Sequence, residues 1–202
     1  MKVSGAFLTD DNGAAVPFIR SPNQSGGIDV RYLIIHYTAG LTAAAAIDWF
    51  KNPAATASAH LVMDRAGAIT QMVGFNKRAW HAGKSEWKDL IGLNRFSIGI
   101  ELVNAGKLKR SESGDWLSWN SVKLPPDQVI VAQHKNEDTP AGWQIYPEPQ
   151  IAAALAVAVA LNAAFKFEDI LGHDDIAPGR KTDPGPGFPM TSITGRVFGR
   201  HT

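Results

Sequence analysis

Three apolar runs in this chain end in, or enclose, a side chain able to do chemistry: His36 follows YLII, Glu101 lies inside SIGIEL, and His173 comes two residues after DIL. An ionisable group in such a setting is costly unless it is paired, coordinated or used. In α/β proteins, sites gather where strands end in loops. A catalytic zinc site takes three protein ligands, commonly imidazoles and a carboxylate, and leaves one position open. His36, His173 and Asp183 have the types for that set. Between the last two the chain passes Pro178 and Gly179, and it meets Pro184 directly after; such a stiff loop can turn a carboxylate back toward the strand end. Taken singly, each histidine reads as a hydrogen-bonded core or edge residue. The set is what points to a site.

The elements that must position these residues follow from pattern. YLIIH (32–36) is short, apolar and β-branched between polar GGID and TAG, the signature of a buried strand. Thr42 caps a helix over about 43–52, closed by Pro53. HLVMDRAGAITQMV predicts two strands joined by a turn at Asp64–Gly67, and SIGIELV (97–103) a second buried strand. From Ala105 to Pro149 the composition turns polar, so a long excursion with at most short strands is expected. Residues 151–165 (IAAALAVAVALNAAF) predict a buried helix, being short of the ~20 residues needed to span a bilayer. DILGHDDI then reads as a strand running into the Pro/Gly-rich loop APGRKTDPGPGFP. Strands alternating with helices give an α/β class with a central mixed sheet flanked by helices, and a site at the strand ends.

Composition narrows the function classes. With 202 residues, one domain over 1–202 is expected. The 20 Lys+Arg against 19 Asp+Glu give no charge footprint for nucleic acid or anionic membranes, and no membrane insertion is expected. The absence of Cys rules out disulfides, Cys-ligated metals and thiol nucleophiles, leaving His, Asp and Glu as the strong metal ligands. Asp10 and Asp11 interrupt the start before any signal-peptide apolar run, so no encoded export is expected. That leaves a cytoplasmic protein, or one exported by an unencoded route.

The segments LIIHYTAG (33–40), SAHLVMDRAGAITQMV (58–73), AWHAG (79–83), SIGIELVNAG (97–106) and GHDDIAPGRKTDPGPGF (172–188) resemble the zinc-dependent N-acetylmuramoyl-L-alanine amidases of the amidase-2 type. That family includes phage lysozyme-like amidases, bacterial wall-recycling amidases and animal peptidoglycan recognition proteins, and without a signal peptide it implies a cytoplasmic recycling enzyme or a phage endolysin that reaches the wall by other means. The resemblance covers about residues 30–190. It implies one Zn2+ held by His36, His173 and Asp183, with Glu101 and Lys181 as the catalytic pair. It also implies peptidoglycan or muropeptide as the substrate, cut at the amide between the lactyl group of N-acetylmuramic acid and L-alanine. Some relatives have Cys as third ligand and Tyr near the Glu position; Asp and Glu here are closer to the recycling-type bacterial branch. The chemistry is coherent: zinc lowers the pKa of its water toward ~7, Glu101 would be the general base, and Lys181 would donate to the oxyanion.

Other residues carry weaker assignments. Trp80 and His81 are expected to wall the substrate groove or, equally, to pack in the core. Asn94 and Arg95 suit hydrogen bonds to sugar or peptide, or a turn. Arg180 suits a stem-peptide carboxylate, or solvent. His60 is expected to be structural, His134 and His201 to lie at the surface. The stretch 107–149 reads as a flap, a partner surface or a long loop. Two other functions use the same scaffold: a binding protein without catalysis, and a zinc peptidase acting within the stem peptide.

Overall fold

The longest apolar runs become neighbouring parallel strands. In the computed structural model, which describes residues 1–199, Tyr32–Tyr37 lies between Asp169–Gly172 and Ser97–Leu102 in a five-stranded sheet completed by Leu61–Met63 and Ile69–Gln71. All neighbours run parallel except Ile69–Gln71, which folds back on Leu61–Met63 after the Asp64–Gly67 turn. The class is α/β with a mixed central sheet, as the sequence predicts.

Alternation along the strands decides what each face does. Leu33, Ile35, Ile98, Ile100 and Leu102 enter the main core with Val157 and Leu161 of α2 (Glu148–Phe165) and Ile193 of α4 (Met190–Phe198). The opposite face carries Tyr32, Ile34 and Leu171, packed with Ile176. By the same period of two it also carries His36 and Glu101, which stand side by side in register on adjacent strands. Burial on both faces is why the strands read as unbroken apolar runs. α2 is long and apolar enough to cross a membrane by length and composition, but here Ala154, Val157, Ala158 and Leu161 are buried in the core. α1 (Ala43–Lys51) begins where expected, with the Thr42 hydroxyl accepting from the Ala45 N–H at 3.2 Å.

Two expectations need correction. DILGHDDI is not one strand: it ends at Gly172, and His173 opens the single-turn helix α3 (His173–Ile176), because the Asp175 carboxylate accepts from the Gly172 N–H at 2.7 Å and curls the chain. The polar excursion is not irregular. It forms a second, antiparallel five-stranded sheet in the order Lys123–Leu124, Trp116–Leu117, Lys107–Arg110, Pro140–Gln144, Val129–Gln133. Its small core of Ala105, Leu108 and Leu124 gives it an apolar interior of its own. The Pro/Gly-rich loop ends at Pro189, and α4 follows it without a sequence signal strong enough to predict it.

Candidate active site

The Tyr32–Tyr37 strand delivers His36 near its end, α3 begins with His173, and the loop after α3 returns Asp183 to the same point. His36 Nδ1, His173 Nδ1 and Asp183 Oδ2 lie 2.9 Å from one another pairwise, and all three residues are buried. This is a His/His/Asp cluster with the composition of a metal site. Burial, reinforced by the neighbouring His173, lowers the His36 pKa to about 4, so the imidazole is neutral and its lone pair is available near pH 7. Burial works to raise Asp183, but its close contacts with His173 and His36 outweigh it and hold the carboxyl below the usual carboxylate range.

Behind the cluster, each imidazole is anchored through its other nitrogen. With Nδ1 of His36 turned into the cluster, Nε2 carries the proton and donates to His81 Nδ1 at 2.9 Å; His81 in turn donates from Nε2 to the Ser97 carbonyl at 3.2 Å. The Nε2–H of His173 donates to the Ala82 carbonyl at 3.1 Å. Burial first, then His36 and His60 nearby, holds His81 well below the usual histidine range, so it serves as a neutral link. Gly99 makes room for it: a Cβ there would meet His81 Cγ at 2.4 Å. His60 is structural as expected, accepting at Nδ1 from the Gly99 N–H and donating from Nε2 to the Lys77 carbonyl, both at 3.0 Å.

Glu101 flanks His36 on the adjacent strand. Its Oε2 is buried without a hydrogen-bond partner, and burial, with Asp183 nearby, raises its pKa well above the ordinary carboxylate value. A cleft of about 720 Å³ opens over the cluster, and its lining includes Glu101, His173, Lys181, Asp183 and the wall residues Trp80 and Arg180. Its rim bears Trp49 and Trp119, 56% and 68% exposed. Trp119 comes from the second sheet and donates from Nε1 to the Ala39 carbonyl at 2.6 Å.

The remaining sequence candidates separate by position. His81 touches the cleft but stands behind His36. Trp80 lines it, with Nε1 donating to Ser25 Oγ at 3.1 Å. Arg180 lines it too, and its Nη2 donates to the carbonyls of Ala82 at 3.0 Å and Lys84 at 2.5 Å. Asn94 lies off the cleft, where its Oδ1 accepts from the N–H groups of His81 and Ala82 at 3.0 and 2.7 Å and so fixes the AWHAG turn. His134 corrects the surface expectation: it is buried and bonded to Asp174, because the second sheet folds over it. His201 lies outside the described residues. Sequence reasoning missed Tyr37, whose hydroxyl pairs with Thr182 Oγ1 at 2.7 Å beside Asp183, and Trp119. For Tyr37 the signal was adjacency to His36; for Trp119 there was none.

The chain is similar to known amidases. The 1,6-anhydro-N-acetylmuramyl-L-alanine amidase AmpD of Escherichia coli (strain K12) is 38% identical over 131 residues, which is 65% of this chain and 53% of AmpD. The N-acetylmuramoyl-L-alanine amidase AmiD of the same strain is 30% identical over 184 residues, 84% of this chain and 54% of AmiD. The chain thus spans about half the length of these curated relatives. The structure of E. coli AmiD in complex with anhydro-N-acetylmuramic acid-L-Ala-D-gamma-Glu-L-Lys superposes with a TM-score of 0.62 at 26% identity, covering 96% of this chain and 66% of that one. Residues 26–186, which hold every member of the cluster, match the Amidase_2 family, N-acetylmuramoyl-L-alanine amidase, and the chain belongs to that family.

Proposed function

We propose that the protein is a zinc-dependent amidase that hydrolyses the bond between N-acetylmuramic acid and L-alanine in muropeptides. One observation carries the reading: three metal-competent atoms converge at 2.9 Å from one another on the floor of a cleft, beside a buried carboxyl oxygen that has no partner. Two imidazoles and one carboxylate are the ligand types that a catalytic zinc ion takes from a protein. His36, His173 and Asp183 would hold it. Bound there, zinc supplies a water acidified toward ~7 and an electrophile for the scissile carbonyl.

The chain's own groups do the rest. Glu101 Oε2 is free to accept the proton of the attacking water, and a carboxyl with a raised pKa keeps that proton long enough to pass it to the leaving nitrogen of L-alanine. Lys181 lines the same cleft and offers its ammonium to the oxygen that gains charge as the carbonyl is attacked. The Trp49 and Trp119 rim suits an apolar sugar face, and Arg180 at the wall suits a peptide carboxylate. The names of the relatives, and the anhydromuropeptide bound to AmiD, support a small muropeptide rather than intact wall, and so a recycling role rather than that of an endolysin. Offering soluble muropeptides and intact sacculi side by side tests this. Faster turnover of the soluble substrate is expected; rapid lysis of sacculi would favour the endolysin reading.

A further inference from the structure

The second sheet approaches the cluster through the turn His134-Lys135-Asn136, which follows the Val129–Gln133 strand. His134 is 1% exposed, and its ring stacks on Trp143 with centroids 5.5 Å apart. Its Nδ1 accepts from the Asn136 N–H at 3.1 Å, so Nε2 bears the proton and donates to Asp174 Oδ2 at 2.8 Å. Lys135 Nζ stands 2.9 Å from Asp174 Oδ1, and Asn136 Nδ2 donates to the Asp174 carbonyl at 2.9 Å. Three consecutive residues of the second sheet therefore hold one buried aspartate. Asp174 is the immediate neighbour of His173, and its N–H donates to the carbonyl of Asp183 at 2.9 Å. Its backbone ties together two of the three residues of the cluster.

A helix of one turn, such as α3, has too few internal hydrogen bonds to hold its own position. The Asp174 carboxylate gives it a fixed point: His134 hydrogen-bonds Oδ2, and the Lys135 ammonium offsets the buried charge as an ion-pair neighbour of Oδ1, which has no hydrogen bond of its own. We infer that the second sheet braces the metal centre, with His134 and Asp174 as positioning residues that set the spacing of His173 and Asp183. The inference rests on the zinc reading above and goes beyond it, since neither side chain offers an atom to the cluster or lines the cleft.

The test is zinc affinity by chelator competition, with the visible spectrum of the cobalt-substituted protein as a report on geometry and urea unfolding of the metal-free protein as a report on stability. His134→Ala should weaken zinc binding ~10–100-fold, as loss of an outer partner of a metal ligand does, and alter the cobalt bands. His134→Gln, which keeps an N–H donor near Nε2, should recover most of the affinity. Asn136→Ala changes an exposed side chain, so the fold tolerates it, and it should shift affinity in the same direction by less. Leu124→Ala empties part of the second sheet's core without touching Asp174; it should lower stability and leave zinc affinity unchanged. Wild-type affinity in both His134→Ala and Asn136→Ala, or an equal loss in Leu124→Ala, would overturn the brace. Failure of the wild-type protein to bind zinc would instead overturn the metal reading, and the brace with it, in the first titration.

Discussion

The reactivity proposed for Glu101 follows from where the strand period puts it. Ser97, Gly99 and Glu101 share one face, Ile98, Ile100 and Leu102 the other, so the only carboxylate of the strand is pressed against His36 with one oxygen unpartnered. Glu101→Gln keeps the shape and cannot take a proton, so turnover should fall by roughly 10²–10⁴ with zinc still bound. Steady-state rates with metal content measured in parallel check this, and a near wild-type rate would move the base elsewhere. Lys181 is assigned to charge that develops during attack, so Lys181→Ala should lower kcat by ~10²–10³ and leave KM nearly unchanged. A higher KM at unchanged kcat would make it a ground-state contact instead.

Gly99 shows how an element can tune a site two residues away. Its missing Cβ lets His81 lie flat against the strand and reach His36, so Gly99→Ala must push the imidazole outward. The variant should fold with reduced stability and bind zinc more weakly, which calorimetric titration reads; unchanged affinity would mean that the His36–His81 bond adds nothing to the cluster. His36, Glu101 and the central strands were legible in sequence because parallel strands covered on both faces leave long apolar runs, in which a polar residue stands out. His173 and Asp183 were legible as a strand end and a stiff loop. The second sheet was not, since its strands are two to five residues long and their partners lie far along the chain, as Lys107 with Trp143. His134 was misplaced for the same reason: nothing local in HKNEDT says that Trp143 will cover it. Trp119 likewise reaches Ala39 only through a tertiary fold-back.

Across the whole molecule, burying neutral histidines near the His/His/Asp cluster has a consequence for stability. Burial lowers His60 to about 4, whereas in the unfolded chain it titrates near ~6.5. The unfolded state therefore binds the extra proton as pH falls below ~6.5, and the contribution of His60 is full above that value and lost progressively down to its folded pKa. Between pH 7 and pH 5 the loss should be about 2 kcal/mol. In urea unfolding of the metal-free protein, His60→Asn should be less stable at pH 7 yet lose less on going to pH 5; equal losses in both proteins would contradict this. The two sheets, one carrying His36 and Glu101 and the other holding Asp174 and the cleft rim, meet at the cluster, and the activity assigned to them is the account's central claim. Its most direct test is mass analysis of the products from anhydro-N-acetylmuramic acid-L-Ala-D-gamma-Glu-L-Lys incubated with the zinc-loaded protein, with His173→Ala as control. The account predicts free anhydro-N-acetylmuramic acid and a peptide beginning with the free amine of L-alanine, both absent with the variant. Cleavage within the stem peptide with the lactyl–alanine amide intact, or no cleavage at all, would contradict it.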